Sequence, residues 1–373
     1  MPVKSITVMN MMVFQNQWRF NNGMPQEYSL KEKGHFNEEF QLSFTDGINV
    51  IIGENGTGKT TLLKMIYAAT QWSNEKTHSN KTDRFSKFFS NYIKDTDLLK
   101  NHNSKQIQSG FIVSDGTTEF EYCLSPEKGF RNLDNWLKLN IQSVYIPTTE
   151  MLSHAKGFLA LNEKYDMPFD GTQVDIIVNA SLPETRELPS YASNLLDLIG
   201  KAIGGTVIYE NDSFYVIKYD GQKIDFSLEA EGLRKLALLW KLIRNGLLEK
   251  DSILLWDEPE SNLNPELFPL VAEILLLLQR NGIQIFVATH SYNFAKYLEI
   301  TKEENDKVQF HTLYKGTPKL STSLKNMLSK IEPVCETVFS DSADKLEDLS
   351  PNHLMSADEK LLDMVFEQRV SEK

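Results

Sequence analysis

INVIIGENGTGKTTLLKMI, residues 48–66, is the stretch on which the reading of this chain turns. Its opening, INVII, is a β-branched apolar run that fits a buried strand, and TTLLKMIYAAT (60–70) carries apolar residues at helical spacing. Between them, Gly53-Glu54-Asn55-Gly56-Thr57-Gly58-Lys59-Thr60 fits the pattern G-x-x-x-x-G-K-[ST]. Glycines let the chain curl so that successive N–H groups point inward at an anion, and the following helix presents its positive end. Lys59 reaches the β- and γ-phosphates of a nucleotide in such a turn, and the Thr60 hydroxyl is a Mg2+ ligand. Asn55, Gly56, Thr57, Gly58, Lys59, Thr60 and Thr61 are therefore the candidate nucleotide contacts. The bland alternative is a glycine-rich turn with a chance lysine. A strand before the turn and a helix after it favour the phosphate reading.

A phosphate-binding turn alone does not choose between a kinase, a GTPase and a motor. The segment DSILLWDEPESNLNP (251–265) narrows the choice: an apolar strand ends in two adjacent carboxylates. Asp257, at the strand end, suits a Mg2+ site opposite Thr60. Glu258, one residue on, is placed to orient or deprotonate an attacking water. Acidic residues also cap strand ends for structural reasons, which is the competing reading. Next, Asn264 and Pro265 are natural first residues of a helix, and Leu267, Leu270, Val271, Ile274, Leu275 and Leu278 share one face of it. Gly282 stops that helix, and IQIFVATHS (283–291) is a second buried strand ending at His290. A βαβ unit brings both strand ends to one sheet edge, where ligands bind, so His290 becomes a candidate sensor of the γ-phosphate.

GENGTGKTT, ILLWDEPESNLNP and FVATHS, in this order, resemble the ABC-type ATPases, and more narrowly the soluble branch that includes the SMC, RecF and OLD proteins. ITVMNMMVF and FQLSFTDGINVII, ahead of the phosphate turn, fit the same branch, and the likeness covers about residues 1–70 and 225–295. The resemblance implies an α/β P-loop NTPase head: a mostly parallel core sheet, an antiparallel β subdomain and a helical signature lobe. It also implies ATP and Mg2+ as ligands and a head-to-head dimer with each nucleotide sandwiched between two subunits. Neither the length nor the heptads for a long coiled coil are present.

Two departures stand out. The family's signature turn corresponds to FSLEAEGLRKLALLWKLI (226–243). Gly232 fits its glycine and joins the candidate nucleotide contacts, while Leu233, Leu236, Ala237 and Trp240 form a helical stripe. Ala230, however, stands where a serine usually meets the γ-phosphate, with Arg234 and Lys235 as compensating candidates; a plain core helix is the alternative. The family's glutamine beside the metal is also missing from IQSVYIPTTEML (141–152), which leaves Glu150 as the candidate third metal-site residue beside Thr60 and Asp257, against a solvated loop acid. Both changes point to slow turnover.

The remainder sets bounds. The 373 residues carry a formal charge of −12, so any nucleic-acid contact needs a local basic patch. Residues 71–110 hold seven Lys/Arg against four Asp/Glu with Phe85, Phe88, Phe89 and Tyr92 interleaved. That pattern fits either a nucleic-acid contact or, the favoured reading, a helix with aromatics turned to the core. FIVSDGTTEFEYCL (111–124) reads as a hairpin about Asp115-Gly116, and turns are expected at Asn211-Asp212 and Asp220-Gly221. The expected organisation is an ATPase head over 1–320, with insertions at 71–110 and 151–206, and an acidic helical extension over 321–373. In that extension Ser356 and Glu359 suggest a capping box, and Leu361, Leu362, Val365 and Phe366 an apolar face for the head or for a partner. Cys123 and Cys335 lack metal spacing and fit idle thiols. No secretory signal or membrane span is visible, so a cytoplasmic protein is expected. The function expected is an ATPase switch that dimerises around ATP and controls a separate nuclease or toxin effector in anti-phage defence. A DNA-repair or chromosome clamp is the alternative, and a transporter ATPase subunit ranks below it.

Overall fold

The computed structural model describes residues 2–14, 40–73, 88–89, 96–100, 109–125, 129–131, 133–165, 167–316 and 337–371. In chain order its strands are β1 (Ser5–Met9), β2 (Phe40–Ser43), β3 (Ile48–Gly53), β4 (Ser109–Ser114), β5 (Glu119–Ser125), β6 (Gly129–Arg131), β7 (Ser143–Ile146), β8 (Gly205–Glu210), β9 (Ser213–Lys218), β10 (Lys223–Asp225), β11 (Ile253–Asp257), β12 (Gln284–Thr289), β13 (Val308–Gly316) and β14 (Thr337–Ala343). Its helices are α1 (Lys59–Gln71), α2 (Leu133–Trp136), α3 (Phe158–Lys164), α4 (Gly171–Ser181), α5 (Ser190–Ile203), α6 (Glu231–Arg244), α7 (Phe268–Arg280), α8 (Tyr292–Thr301) and α9 (His353–Ser371).

A six-stranded sheet in the order β14-β13-β3-β12-β11-β7 forms the centre, and only its β13–β14 pair is antiparallel. The apolar runs of the sequence explain this position: a strand covered on both faces needs apolar residues at every step, not at alternate ones. On β3, Ile48, Val50 and Ile52 join one core cluster, with α4 to α8, while Ile51 joins another under α1. The same alternation holds for Leu254 and Trp256 against Ile253 and Leu255 on β11. The second cluster is closed by an antiparallel sheet, β2-β1-β4-β5-β6, and β10-β9-β8 makes a third sheet beside the helical lobe. Parallel core, antiparallel subdomain and helical lobe are thus all present as expected. The lobe is tied to the phosphate-loop helix by Lys64–Asp170 (2.6 Å) and Tyr67–Asp175 (3.0 Å).

The three expected turns are present: Gly116, Asn211, Asp212 and Gly221 all have positive φ, and Asp115 Oδ1 accepts from the Thr117 and Thr118 amides. Phe88 is buried with its ring edge-on to Tyr67, in keeping with the core-facing reading of that insertion. Phe85, Tyr92, Cys335 and the basic residues Lys81, Arg84 and Lys87 lie outside the described residues. Cys123 is buried, and its Sγ donates to Glu121 Oε1 (3.2 Å).

The C-terminal region departs from expectation in two respects. β14 is an edge strand of the central sheet, so the segment after residue 320 contributes to the head itself. Helix α9 begins at His353, ahead of Ser356, because Asn352 Oδ1 accepts from the Met355 amide (3.1 Å). Ser356 sits inside the first turn with its hydroxyl on the Asn352 carbonyl (3.1 Å). The apolar face of α9 does not fold back on the head: Leu361 is 59% and Phe366 62% exposed.

β14 also meets the phosphate-loop strand through His311 on β13. This ring is fully buried; its Nδ1 accepts from Ser342 Oγ (2.7 Å) and its Nε2 faces Asn49 Oδ1 (3.4 Å). Burial pushes its pKa down to about 4. The neutral ring is therefore the native form. Its contribution is complete above the unfolded pKa near 6.5 and is lost as pH falls towards 4, at a cost of about 3 kcal/mol. In urea titrations at pH 7 and pH 5, the wild type should lose more stability between the two pH values than His311→Gln does.

Candidate functional site

β3, β7, β11 and β12 run parallel, so their carboxyl ends share one edge of the sheet. The register sets the levels: Ile52 lies opposite Thr289, and Asp257 opposite Ala288. The turn after β3 and the residues just past β11 and β12 therefore converge. Gly58, the residue before α1, has φ 93°, and a Cβ there would strike Val13 and Phe14 at 2.8 Å. Lys59 is only 7% exposed and donates to the carbonyls of Gly53 (2.7 Å) and Glu54 (3.0 Å), which folds its ammonium over the turn. Burial lowers its pKa, opposed by the charges of Glu258, Asp257, Glu260 and Glu54.

Thr60 donates to Asp257 Oδ2 at 2.8 Å, across 197 residues of sequence. Tyr145, from β7, donates to the same oxygen at 3.3 Å. Asp257 is 4% exposed, and its Oδ1 is buried with no hydrogen-bond partner. Burial raises its pKa, and the nearby Glu258 charge raises it further, while the Thr60 hydroxyl acts the other way. An orphaned carboxylate oxygen beside a hydroxyl at a phosphate turn fits Mg2+, which takes one or two protein oxygens and fills its octahedron with phosphate and water. Among the described residues there is no cluster of three or more His, Cys, Asp and Glu able to hold a metal alone.

Glu258 adopts φ 51°, a left-handed conformation that is uncommon outside glycine and asparagine. Three main-chain bonds hold it: its N–H donates to Ala288 O (2.9 Å), and its carbonyl accepts from Lys235 Nζ (3.1 Å) and from the Ser261 amide (3.1 Å). Its Oε1 stands 3.2 Å from His290 Nδ1, and His290 is 47% exposed at the side chain. Lys59, Thr60, Asp257, Glu258 and His290 thus form one constellation.

Glu150 and Gly232 belong to other contacts. Glu150 was expected at the metal. Instead its Oε1 accepts from the Leu152 (2.5 Å) and Ser153 (3.2 Å) amides, and its Oε2 pairs with Arg234 at 3.0 Å. It follows β7, and the turn at 152–154 draws its carboxylate to backbone N–H groups and towards α6. Arg234 is engaged in that pair, and Lys235 points to the main chain of Glu258 in its own subunit. Gly232 has a packing reason for being glycine: a Cβ would lie 2.7 Å from Asn262 O and 3.2 Å from Leu263 Cα. The start of α6 is thereby seated on the loop after β11, with Asn262 Nδ2 on Glu231 Oε1 (2.8 Å). Gly232→Ala should cost about 1–3 kcal/mol of stability, read as a lower melting temperature. Ala230 precedes α6 and supplies no side-chain cap.

Three residues of the site gave no signal in the sequence: Tyr145, Glu260 and Lys315, whose ammonium lies 3.3 Å from where a Cβ on Gly56 would be. Glu260 lies two residues past Glu258, while Tyr145 and Lys315 become neighbours of the site through strand order.

Residues 48–295, more than half of the chain, match the family described as "AAA domain, putative AbiEii toxin, Type IV TA system". The chain belongs to that family. Curated relatives are the DNA replication and repair protein RecF of Tropheryma whipplei (strain TW08/27), 46% identical over 46 residues, and RecF of Bacillus thuringiensis (strain Al Hakam), 43% identical over 58 residues. Those stretches cover 12% and 16% of this chain and only 13% and 14% of the relatives' own length. Among solved structures, the SMC head domain from Thermotoga maritima aligns over 84% of this chain and 95% of that one, at 14% identity and a TM-score of 0.44. The likeness to RecF first suggested by the three motifs is met by those short RecF stretches, and the family match spans all three motifs. No helix among the described residues is long and apolar enough to cross a membrane.

Proposed function

We propose that this AbiEii-family chain is an ATP-driven switch that binds ATP with Mg2+, closes head-to-head with a second copy, and opens when the nucleotide is hydrolysed. The observation that carries this reading is the contact of Thr60 with Asp257 at 2.8 Å, with Glu258 and His290 3.2 Å apart one residue beyond each strand end. The turn from Gly53 to Thr61 cradles the phosphates with main-chain N–H groups, and Lys59 leaves its two carbonyls for the β- and γ-phosphates. Thr60 and Asp257 would hold Mg2+, which when bound would supply charge neutralisation on the phosphates. Glu258 takes the proton from the attacking water, and His290 contacts the γ-phosphate. The α6 end of the second copy closes the site through Gly232, without the serine that Ala230 replaces, which slows turnover.

The switch acts in the cytoplasm on a separate nuclease or toxin effector in bacterial anti-phage defence. Membership of a family described as a putative toxin of a Type IV TA system supports a place for the switch in a toxin system. Molar mass by light scattering, with and without Mg·ATP, tests the switch: a doubling with ATP that reverses on hydrolysis supports it, and a mass indifferent to ATP contradicts it. The likeness to RecF, a replication and repair protein by its name, supports a second reading as a DNA clamp through the basic stretch at 71–110. Salt-dependent DNA affinity lost on charge reversal of Lys81, Arg84 and Lys87 would favour the clamp.

A further inference from the structure

Glu260 has no part in the chemistry above, yet it is almost fully enclosed beside the site. It lies just past β11, its side chain 5% exposed. Its Oε1 accepts from Thr289 Oγ1 at 2.5 Å and from the His290 amide at 3.3 Å, and stands 3.8 Å from His290 Nδ1. Its Oε2 is buried with no hydrogen-bond partner. Lys59 and Lys235 both feel its charge. A carboxylate needed only to bond Thr289 could be an amide or a serine at lower desolvation cost.

His290 Nδ1 therefore faces two carboxylates, Glu258 at 3.2 Å and Glu260 at 3.8 Å. Ionised carboxylates only accept, so Nδ1 carries the hydrogen and Nε2 is the nitrogen left for a ligand. Glu258 cannot serve both partners at once: when its carboxylate turns to the water it is to deprotonate, Nδ1 loses its nearer acceptor. Glu260 is buried, anchored to Thr289 and close enough to take that hydrogen bond over.

We propose that Glu260 is a positioning residue for hydrolysis, fixing the Thr289–His290 main chain and accepting from His290 Nδ1 while Glu258 attends to the water. The proposal rests on the ATPase reading, so its test needs one arm that is independent of turnover.

The first arm is steady-state hydrolysis by full-length Glu260→Ala, Glu260→Gln, His290→Ala and the Glu260→Ala/His290→Ala double variant. Glu260→Ala should lower kcat about 10- to 100-fold with KM changed less than about threefold. Glu260→Gln should recover part of the loss, because its amide oxygen can still accept from Thr289 and His290. In the His290→Ala background, Glu260→Ala should add nothing further. Independent, multiplying losses, or a KM that rises in step with the fall in kcat, overturn the proposal. The second arm, without nucleotide, is the 15N spectrum of the histidine rings, with His290 assigned by its absence in His290→Ala. In Glu258→Ala, which removes the nearer acceptor, Glu260 should keep the ring in the Nδ1–H form, and adding Glu260→Ala should bring in the Nε2–H form. An unchanged ring spectrum overturns the proposal. If the wild type hydrolyses no ATP, the functional reading fails, and this second arm alone decides the place of Glu260.

Discussion

Glu258→Gln retains ATP affinity, loses turnover by about 10²–10⁴-fold and keeps the chain in its ATP-bound oligomer. Glutamine matches glutamate in size and can still face His290 at the 3.2 Å position, so the site keeps its shape. What it cannot do is take a proton from water. The backbone reinforces the choice of this residue. Its left-handed φ of 51° costs about 1–2 kcal/mol for a side chain with a Cβ. That cost is offset by the bonds to Ala288 and Lys235 and turns the carboxylate out of the strand line towards His290. ATPase rates, nucleotide affinity and light scattering on one preparation check all three parts. Hydrolysis at the parental rate would remove Glu258 from the chemistry.

Asp257→Asn should lose at least about 100-fold in Mg·ATP hydrolysis and, without nucleotide, gain stability. The two effects have one cause. Asp257 is almost fully buried, next to Glu258, and Oδ1 has no partner. Its pKa is raised, chiefly by burial. A carboxyl with a raised folded-state pKa stabilises the fold below its unfolded value near 3.8, and that contribution is lost as pH rises through the folded value. At neutral pH its charge is a standing cost that Mg2+ relieves. Asparagine removes the charge, and its carbonyl still accepts from Thr60. Melting temperature with and without Mg·ATP separates the terms: ligand should raise the wild-type value more than that of Asp257→Asn. A variant less stable than the wild type in the absence of ligand would show that the charge is compensated in a way not described above.

Much of this site was legible because its parts are local. The glycine turn, the paired carboxylates and His290 each lie at the end of a short apolar run, and parallel strands must bring such ends to one edge. The contacts that were missed depend on which strand or helix lies next to which. Tyr145 reaches Asp257 because β7 pairs with β11. Lys235 reaches Glu258 because Gly232 seats α6 on the loop after β11. Glu150 was misjudged for the same reason: a carboxylate near the right strand was available, and nothing in its own segment revealed Arg234 as its partner. β14 went unread because TVFSDSA is partly polar and carries a weaker signal than the apolar runs of the buried strands. The Ser356 cap failed to a stronger competitor, Asn352, four residues earlier.

Titration of ATP into the wild-type chain and into Lys59→Ala, with and without Mg2+, tests most directly whether a triphosphate is held over the turn from Gly53 to Thr61. Saturable, Mg2+-assisted binding by the wild type is expected, weakened at least about 100-fold in Lys59→Ala through loss of charge-assisted bonds to the phosphates. Equal affinity in the two proteins, or none in the wild type, would contradict it.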